Sequence, residues 1–167
     1  VLAALILSLA TDTFASPQNL FNVTRNFAFV GLVALGMTVV IIGRGIDLSM
    51  VPIMAVSIAC LFVMVSSGIS LPVAIVAAAL TALLFGAVNG VLIAYMEIPP
   101  LFTTLAMGTV VLGLGQYFVF SNAAVPAPKA IGWLSSLGAG QIGGIPVSIF
   151  AFLALAVLIH LFLKYTH

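Results

Sequence analysis

Runs of apolar residues, separated by short polar or glycine- and proline-rich stretches, organise this chain. A membrane-spanning helix needs about 20 mostly apolar residues, with a range near 17–25. Five runs meet or approach that length: Phe27 to Gly43, Met50 to Val65, Leu71 to Met96, Leu101 to Phe120 and Ile145 to Leu163. The second is slightly short, and the third is long enough to tilt. A further run, VLAALILSLA at residues 1–10, would rise only ~15 Å as a helix, about half of a hydrocarbon core. It reads as the outer half of a first span whose beginning is missing, and LKYTH at the other end stops where a loop should start. In lipid each run must be helical, because no water is there to satisfy free backbone amides. The expected fold is all-α, a polytopic membrane helix bundle of about six spans. Residues 1–167 would then be part of a longer transmembrane domain.

The connections differ in character. Residues 11–26, TDTFASPQNLFNVTRN, read as a polar link with a proline. SSGIS at 66–70 and EIPP at 97–100 read as tight turns, and 121–144 as a long loop with a short interfacial stretch around Trp133.

Composition strengthens the membrane reading. Charged residues make up 4% of the chain, against roughly 25% in soluble domains, and the mean hydropathy is +1.42. Such a chain cannot coat a water-facing surface. Four basic and three acidic residues leave no basic patch for nucleic acid. Cys60 is the single cysteine, in an apolar run, so it offers neither a disulfide nor a metal cluster and reads as a small core residue. Charge does not orient the chain, since Arg44 and Lys164 fall on one side and Arg25 and Lys129 on the other. Signatures of metalloproteases, serine hydrolases and Walker-type ATPases are missing, so no catalytic residue and no cofactor is expected.

The few polar residues inside the apolar pattern become the candidates. GRGIDLS at 43–49 sets an arginine and an aspartate three residues apart. A charge at mid-bilayer costs about 2.5–3.5 kcal/mol, so this pair belongs near an interface, in a wet cavity, or against each other. Gly43 and Gly45 disfavour continuous helix around Arg44. Ser49 suits the cap of the next helix, because Pro52 would then be its third residue, where a missing N–H breaks no bond. Asp47 could face that helix's positive end. Two readings stand: a break between helices that holds a hydrogen-bonding pocket, and an ordinary loop with a surface ion pair.

Gly86 and Gly90 form a G-x-x-x-G that would let another helix approach, with Asn89 either as interhelical glue or as pathway lining. Pro99 and Pro100 end one helix and start the next, placing Thr103 and Thr104 on a first turn where their hydroxyls bond backbone or face a cavity. Gly108, Gly113 and Gly115 slim the following helix for packing.

Two blocks carry a family resemblance. NLFNVTRNFAFVGLVALGMTVVIIGRGIDLSM resembles the start of the permease subunit of bacterial ABC importers of the ribose, xylose and autoinducer-2 type. Asn19, Leu20 and Asn22 match its opening; Gly36, Met37, Thr38, Val40 and Ile41 match the span after it; Gly45, Ile46, Asp47, Leu48 and Ser49 match its G-G-I-D-L-S hallmark. NGVLIAYMEIPPLFTTLAMGTVVLGLGQ resembles a second block through Asn89, Gly90, Pro99, Pro100, Thr104 and Leu105. The departures are Met50-Val51 in place of Val-Gly after the hallmark, Leu112 before Gly113, and Glu97 where a basic residue is common.

The resemblance implies the N-terminal half of an inner-membrane permease for a monosaccharide or similar small polar solute. It implies three kinds of partner: cytoplasmic ATP-binding cassette subunits, a second permease subunit, and a periplasmic solute-binding protein. GRGIDLS and EIPP would face the cytoplasm and 121–144 the periplasm. Gly45, Asp47, Ser49, Asn89 and Thr104 would border the translocation pathway, while Gly86, Gly90, Gly108 and Gly113 would pack helices. The alternative is half of an ion-coupled secondary transporter or channel, which needs a titrating carboxylate within the membrane.

Overall fold

The computed structural model describes residue 6 and residues 9–11, 13–120 and 125–166. Most of the apolar stub at 1–10, together with Asp12 and His167, lies outside the described residues. The architecture is an all-α membrane bundle. Helices α1 (Pro17–Ile42), α2 (Met50–Ser66), α3 (Leu71–Ala94) and α4 (Pro100–Phe118) are followed by a 3-10 turn (Lys129–Ile131) and the short α5 (Gly132–Ala139). Strands β1 (Gln141–Ile142) and β2 (Ile145–Pro146) make a small hairpin before α6 (Val147–Thr166). Among the described residues α1, α3, α4 and α6 are long and apolar enough to cross a membrane, and α2, with 17 residues, is shorter. Their outward leucines and phenylalanines are bare: Leu83 is 67% exposed and Phe162 59%. Water would penalise such a surface, whereas lipid tails do not.

Two expectations from the sequence change. The polar link at 11–26 is helical from Pro17 onward. Ser16 caps that helix: its Oγ accepts the amide of Asn19 at 3.3 Å, and its carbonyl accepts that of Leu20 at 3.0 Å. Pro17 occupies the first helical position, where no amide is needed. At 26 residues α1 is ~39 Å long, so a polar first part can stand outside a ~30 Å hydrocarbon core. The loop expected at 121–144, of which 121–124 lie outside the described residues, has its short stretch around Trp133 as α5 and adds a hairpin that was not expected. Gly143 and Gly144 have φ of +58° and +82°, and Ile142 pairs with Ile145, which is the two-residue hairpin that glycines permit. Trp133 stands near the start of α5, 56% exposed.

The helices fall into two compact units. Unit one holds residues 1–39 and 134–167. In it α1 and α6 approach at Gly31, where a Cβ would lie 2.7 Å from Phe152 Cε2. Unit two, residues 40–133, is a bundle of α2, α3 and α4. Its core is Ile53 and Val56 of α2 with Met107 and Val111 of α4. Cys60, Ala82, Phe85, Leu92 and Phe120 pack around that core, which gives Cys60 the packing role expected of it. Thr104, Gly108, Val111 and Gly115, spaced four, three and four apart, are the buried stripe of α4.

The glycines divide into two kinds. Gly108 is packed, with Pro52 Cγ 3.4 Å and Ser49 Cα 3.6 Å from where a Cβ would be. Gly115 is tighter still, with Val56 Cγ2 at 2.6 Å. Among the described residues, a Cβ at Gly86, Gly90 or Gly113 meets open space, so the close contacts expected of those three are not made within this chain. Spacing alone shows which residues share a helix face, and says nothing of whether a neighbour lies opposite.

This difference yields a paired prediction. Gly113→Ala adds a methyl to open space and removes a helix-interior glycine, worth about 0.5–1 kcal/mol in favour of the fold. Gly115→Ala forces Val56 and Phe120 to move. In thermal unfolding of the detergent-solubilised protein, the first variant should melt at or above wild type and the second several degrees below it. Equal melting points would show that α2 and α4 do not meet at Gly115.

Candidate functional site

The site grows from the way α1 ends. The amide of Arg44 bonds to Ile41 O at 2.9 Å and that of Gly45 to Val40 O at 3.0 Å, a Schellman closure of the helix. That closure demands a left-handed residue at position 44, and Arg44 takes φ of +60° where glycine is the usual occupant. The chain then runs through Gly45, Ile46 and Asp47 to the start of α2.

Ser49 is the backbone cap of α2, its carbonyl accepting the Ile53 amide at 2.9 Å. Its side chain, however, makes no capping bond. The reason is Pro52, which occupies the third helical position and has no N–H to offer the hydroxyl. Asp47 is likewise not held by the later amides of the helix, as the sequence led us to expect. Its Oδ1 accepts the Ser49 amide at 2.8 Å and the Ser49 hydroxyl at 2.5 Å, an Asx turn reinforced by a second bond. Across the bundle, Asn89 of α3 donates Nδ2 to Ser49 Oγ at 2.8 Å. Ser49 is fully buried and Asn89 is 5% exposed.

Donor and acceptor counting fixes the polarity of this relay. A hydroxyl carries one proton, and Ser49 gives it to the acceptor-only carboxylate. Ser49 Oγ can then only accept, so Asn89 must turn its amino group towards it. The orientation of the Asn89 amide follows from chemistry. Its carbonyl Oδ1 is left buried without a partner among the described residues, a state that costs roughly 1–3 kcal/mol.

Thr104 of α4 clamps the same loop from the third helix. Its hydroxyl accepts the Leu48 amide at 3.1 Å and donates to a carbonyl, with Pro100 O at 2.8 Å and Ile46 O at 3.1 Å both in reach. The two sequence readings of this threonine, backbone bonding and cavity facing, are therefore both realised. Gly108, one turn further along, lets α4 lie against Leu48 O and Ser49 Cα, both 3.6 Å from its would-be Cβ. Thr103 bonds only its own helix, at Pro99 O.

These elements border an open cavity of about 300 Å³. Gly45, Asp47, Asn89 and Thr104 line it, with Arg44, Gly86 and Gly90. Ser49 lies behind the wall and joins Asp47 to Asn89. Of the five pathway residues named from sequence, four share one cavity and the fifth braces it. Arg44 and Asp47 form no ion pair among the described residues, so the picture of a surface-paired loop does not describe this segment. Arg44 was not among the pathway residues named from sequence, although a wet cavity was one of the places expected for the Arg44 and Asp47 pair. Glu97, in the other turn at this end of the bundle, also has a left-handed φ of +55°.

The chain has clear relatives. A family model described as branched-chain amino acid transport system / permease component matches residues 19–167. The ribose import permease protein of Bacillus subtilis (strain 168) is 35% identical over 160 residues, which cover 93% of this chain and 49% of that protein. The galactofuranose transporter permease protein of Escherichia coli (strain K12) is 34% identical over 123 residues, covering 74% and 35%. An autoinducer 2 import system permease protein of Escherichia coli (strain K12 / DH10B) is 33% identical over 144 residues, covering 84% and 42%. The chain thus spans at most about half the length of these curated relatives. No solved structure matches it.

The relay predicts the effect of removing its middle. Loss of an ordinary N-cap costs ~1 kcal/mol. Ser49→Ala should cost about 2–3 kcal/mol, because it strands the Asn89 amino group in a buried site, while Asp47 Oδ1 keeps only the residue-49 amide. Adding Asn89→Leu should recover part of that loss by removing one stranded group. Denaturant or thermal titration of wild type and the two variants would measure this, and a Ser49→Ala loss of only about 1 kcal/mol would mean that the relay contributes no more than an ordinary cap does.

Proposed function

The chain belongs to the permease-component family of branched-chain amino acid transport systems, and from that premise we propose that it builds one wall of the solute path in an ATP-driven bacterial importer. The observation that carries this reading is a family match running through residues 19–167, joined to relatives named as import permeases for ribose, galactofuranose and autoinducer 2. The solute is then a monosaccharide or similar small polar molecule. The chain itself carries no catalysis; hydrolysis belongs to separate cytoplasmic ATP-binding cassette subunits. A second permease subunit and a periplasmic solute-binding protein complete the importer in the inner membrane.

On this reading α1, α2, α3, α4 and α6, with the apolar stretch at 1–10, make six crossings. The segment at 43–49 is the break between two of them, where an irregular backbone is tolerated because it borders a cavity. Gly45, Asp47, Ser49, Asn89 and Thr104 form that border. Gly86 and Gly90 leave room in it, and Gly108 packs α4 against the break. Support for this comes from four of the first five lining one cavity. GRGIDLS and EIPP face the cytoplasm.

Energy coupling decides between this reading and the ion-coupled alternative. In cells carrying the full-length permease with its ATPase and binding protein, uptake of labelled D-ribose should stop when the ATPase is inactivated. It should persist when the proton gradient is collapsed and ATP is maintained. The reverse pattern would make the chain part of an ion-coupled transporter.

Orientation has its own check. With Cys60 replaced, a membrane-impermeant thiol reagent applied to intact cells should label Ala127→Cys and miss Thr166→Cys. Labelling of the second but not the first would invert the topology.

A further inference from the structure

We propose that the groove between the end of α3 and the start of α4 is a lipid site, which holds one acyl chain of an ammonium-bearing phospholipid while Glu97 recognises the headgroup. The groove has a volume of about 360 Å³. Leu92 of α3 and Ile98 of the turn line it, together with Phe102, Ala106 and Val110, which are four residues apart on α4. Its one polar lining residue, Thr103, is buried and donates its hydroxyl to Pro99 O of its own helix. A ligand here is therefore held by apolar contact alone.

Shape decides which apolar ligand fits. Spread over the ~12 Å of α4 between Phe102 and Val110, that volume gives a mean cross-section of ~30 Å². An α-helix with its side chains is about 10–12 Å across, too thick to enter. A single hydrocarbon chain is slim enough. Close approach of a second helix needs small residues at the contact, and Phe102 and Val110 stand out here, 65% and 51% exposed. The direction of the groove agrees. The Ile98 amide bonds Leu92 O at 3.3 Å, folding the turn back over the end of α3, and α4 starts at Pro100. The groove thus begins where two helices of membrane-crossing length end, and runs inward along α4 as a lipid tail descends from its headgroup. Tyr95, 84% exposed, stands at the same turn, and tyrosine favours the headgroup layer.

Charge selects the headgroup. Glu97 adjoins Ile98 at the mouth of the groove, and among the described residues its carboxylate makes no hydrogen bond or ion pair. The turn from Tyr95 to Pro100 carries no basic residue. A lone carboxylate repels an anionic headgroup and accepts from a primary ammonium, which phosphatidylethanolamine has and phosphatidylglycerol lacks.

Native mass spectrometry of the full-length permease tests this, after delipidation in detergent and addition of equal amounts of phosphatidylethanolamine and phosphatidylglycerol. Wild type should hold one lipid more than Ala106→Trp, whose indole fills the groove, and the two should melt alike in lipid-free detergent. Leu83→Trp, on an exposed part of α3 outside the groove, should hold as many lipids as wild type. The lipid in the groove should be phosphatidylethanolamine by about two- to fivefold, the range of an exposed ion pair. Glu97→Gln should abolish that preference and Glu97→Lys should reverse it, neither of them filling the groove. A preference that survives both Glu97 variants would overturn the proposal. So would equal lipid counts in wild type and Ala106→Trp, or an equal loss in Leu83→Trp, which would mark ordinary surface lipid. A wild type that retains no lipid would leave the groove to another part of the permease and overturn it as well. None of these readouts depends on what the permease transports.

Discussion

Ser49 is buried where α2, α3 and α4 meet, and its hydroxyl, which makes no capping bond, links the loop to α3 through Asn89. The rest of the cytoplasm-facing end, as we orient it, depends on this link. Asp47 is fixed by two bonds from Ser49, Asn89 is fixed by one bond to it, and both line the cavity. Thr104 holds the preceding residues from α4, so three helices converge on seven residues of loop. In a chain with 4% charged residues, polar bonds are scarce and cannot be exchanged readily for water. Each one therefore specifies position more than it adds net stability.

Apolar packing alone would not set this geometry. Ile53, Val56, Met107 and Val111 hold α2 against α4, but their contacts are non-directional and lipid competes with them on equal terms. Small residues supply the direction. Gly108 lets the backbone of α4 come within van der Waals reach of Leu48 and Ser49, and only at that distance can Thr104 reach the loop amide. A bulky residue at 108 would part the helices and disconnect Thr104 together. Core packing and polar positioning are thus coupled through one missing side chain.

Much of this was legible in the sequence. The long apolar runs gave the helices, because lipid leaves a spanning backbone no other option. Ser49 and Pro52 at the head of α2, and Pro100 at the head of α4, were readable because caps and prolines act through local backbone chemistry. The partner of the Ser49 hydroxyl was not, since Asn89 is 40 residues away and no local rule brings the two together. The same limit explains the glycines. Gly86 and Gly90 have the spacing of a helix contact yet face open space, while Gly31, with no such spacing, lies under Phe152. The start of α1 was missed for a different reason: a polar sequence hid a helix that Ser16 and Pro17 had marked.

Arg44 shows how the backbone and the cavity are related. A left-handed backbone costs a residue with a Cβ roughly 1–2 kcal/mol, and glycines stand on both sides of it in this sequence. Two backbone hydrogen bonds close the helix around Arg44 and hold that conformation in place. Its outcome is that Arg44 lines the cavity, whereas a charge held in lipid would cost several kcal/mol. The strain at Arg44 is therefore small beside the penalty that its position avoids. The same comparison accounts for Asp47: its Oδ1 accepts two short bonds, and it lines the cavity together with Arg44. A loop that holds opposite charges apart, each facing the same space, is arranged to present them to a third party more than to each other.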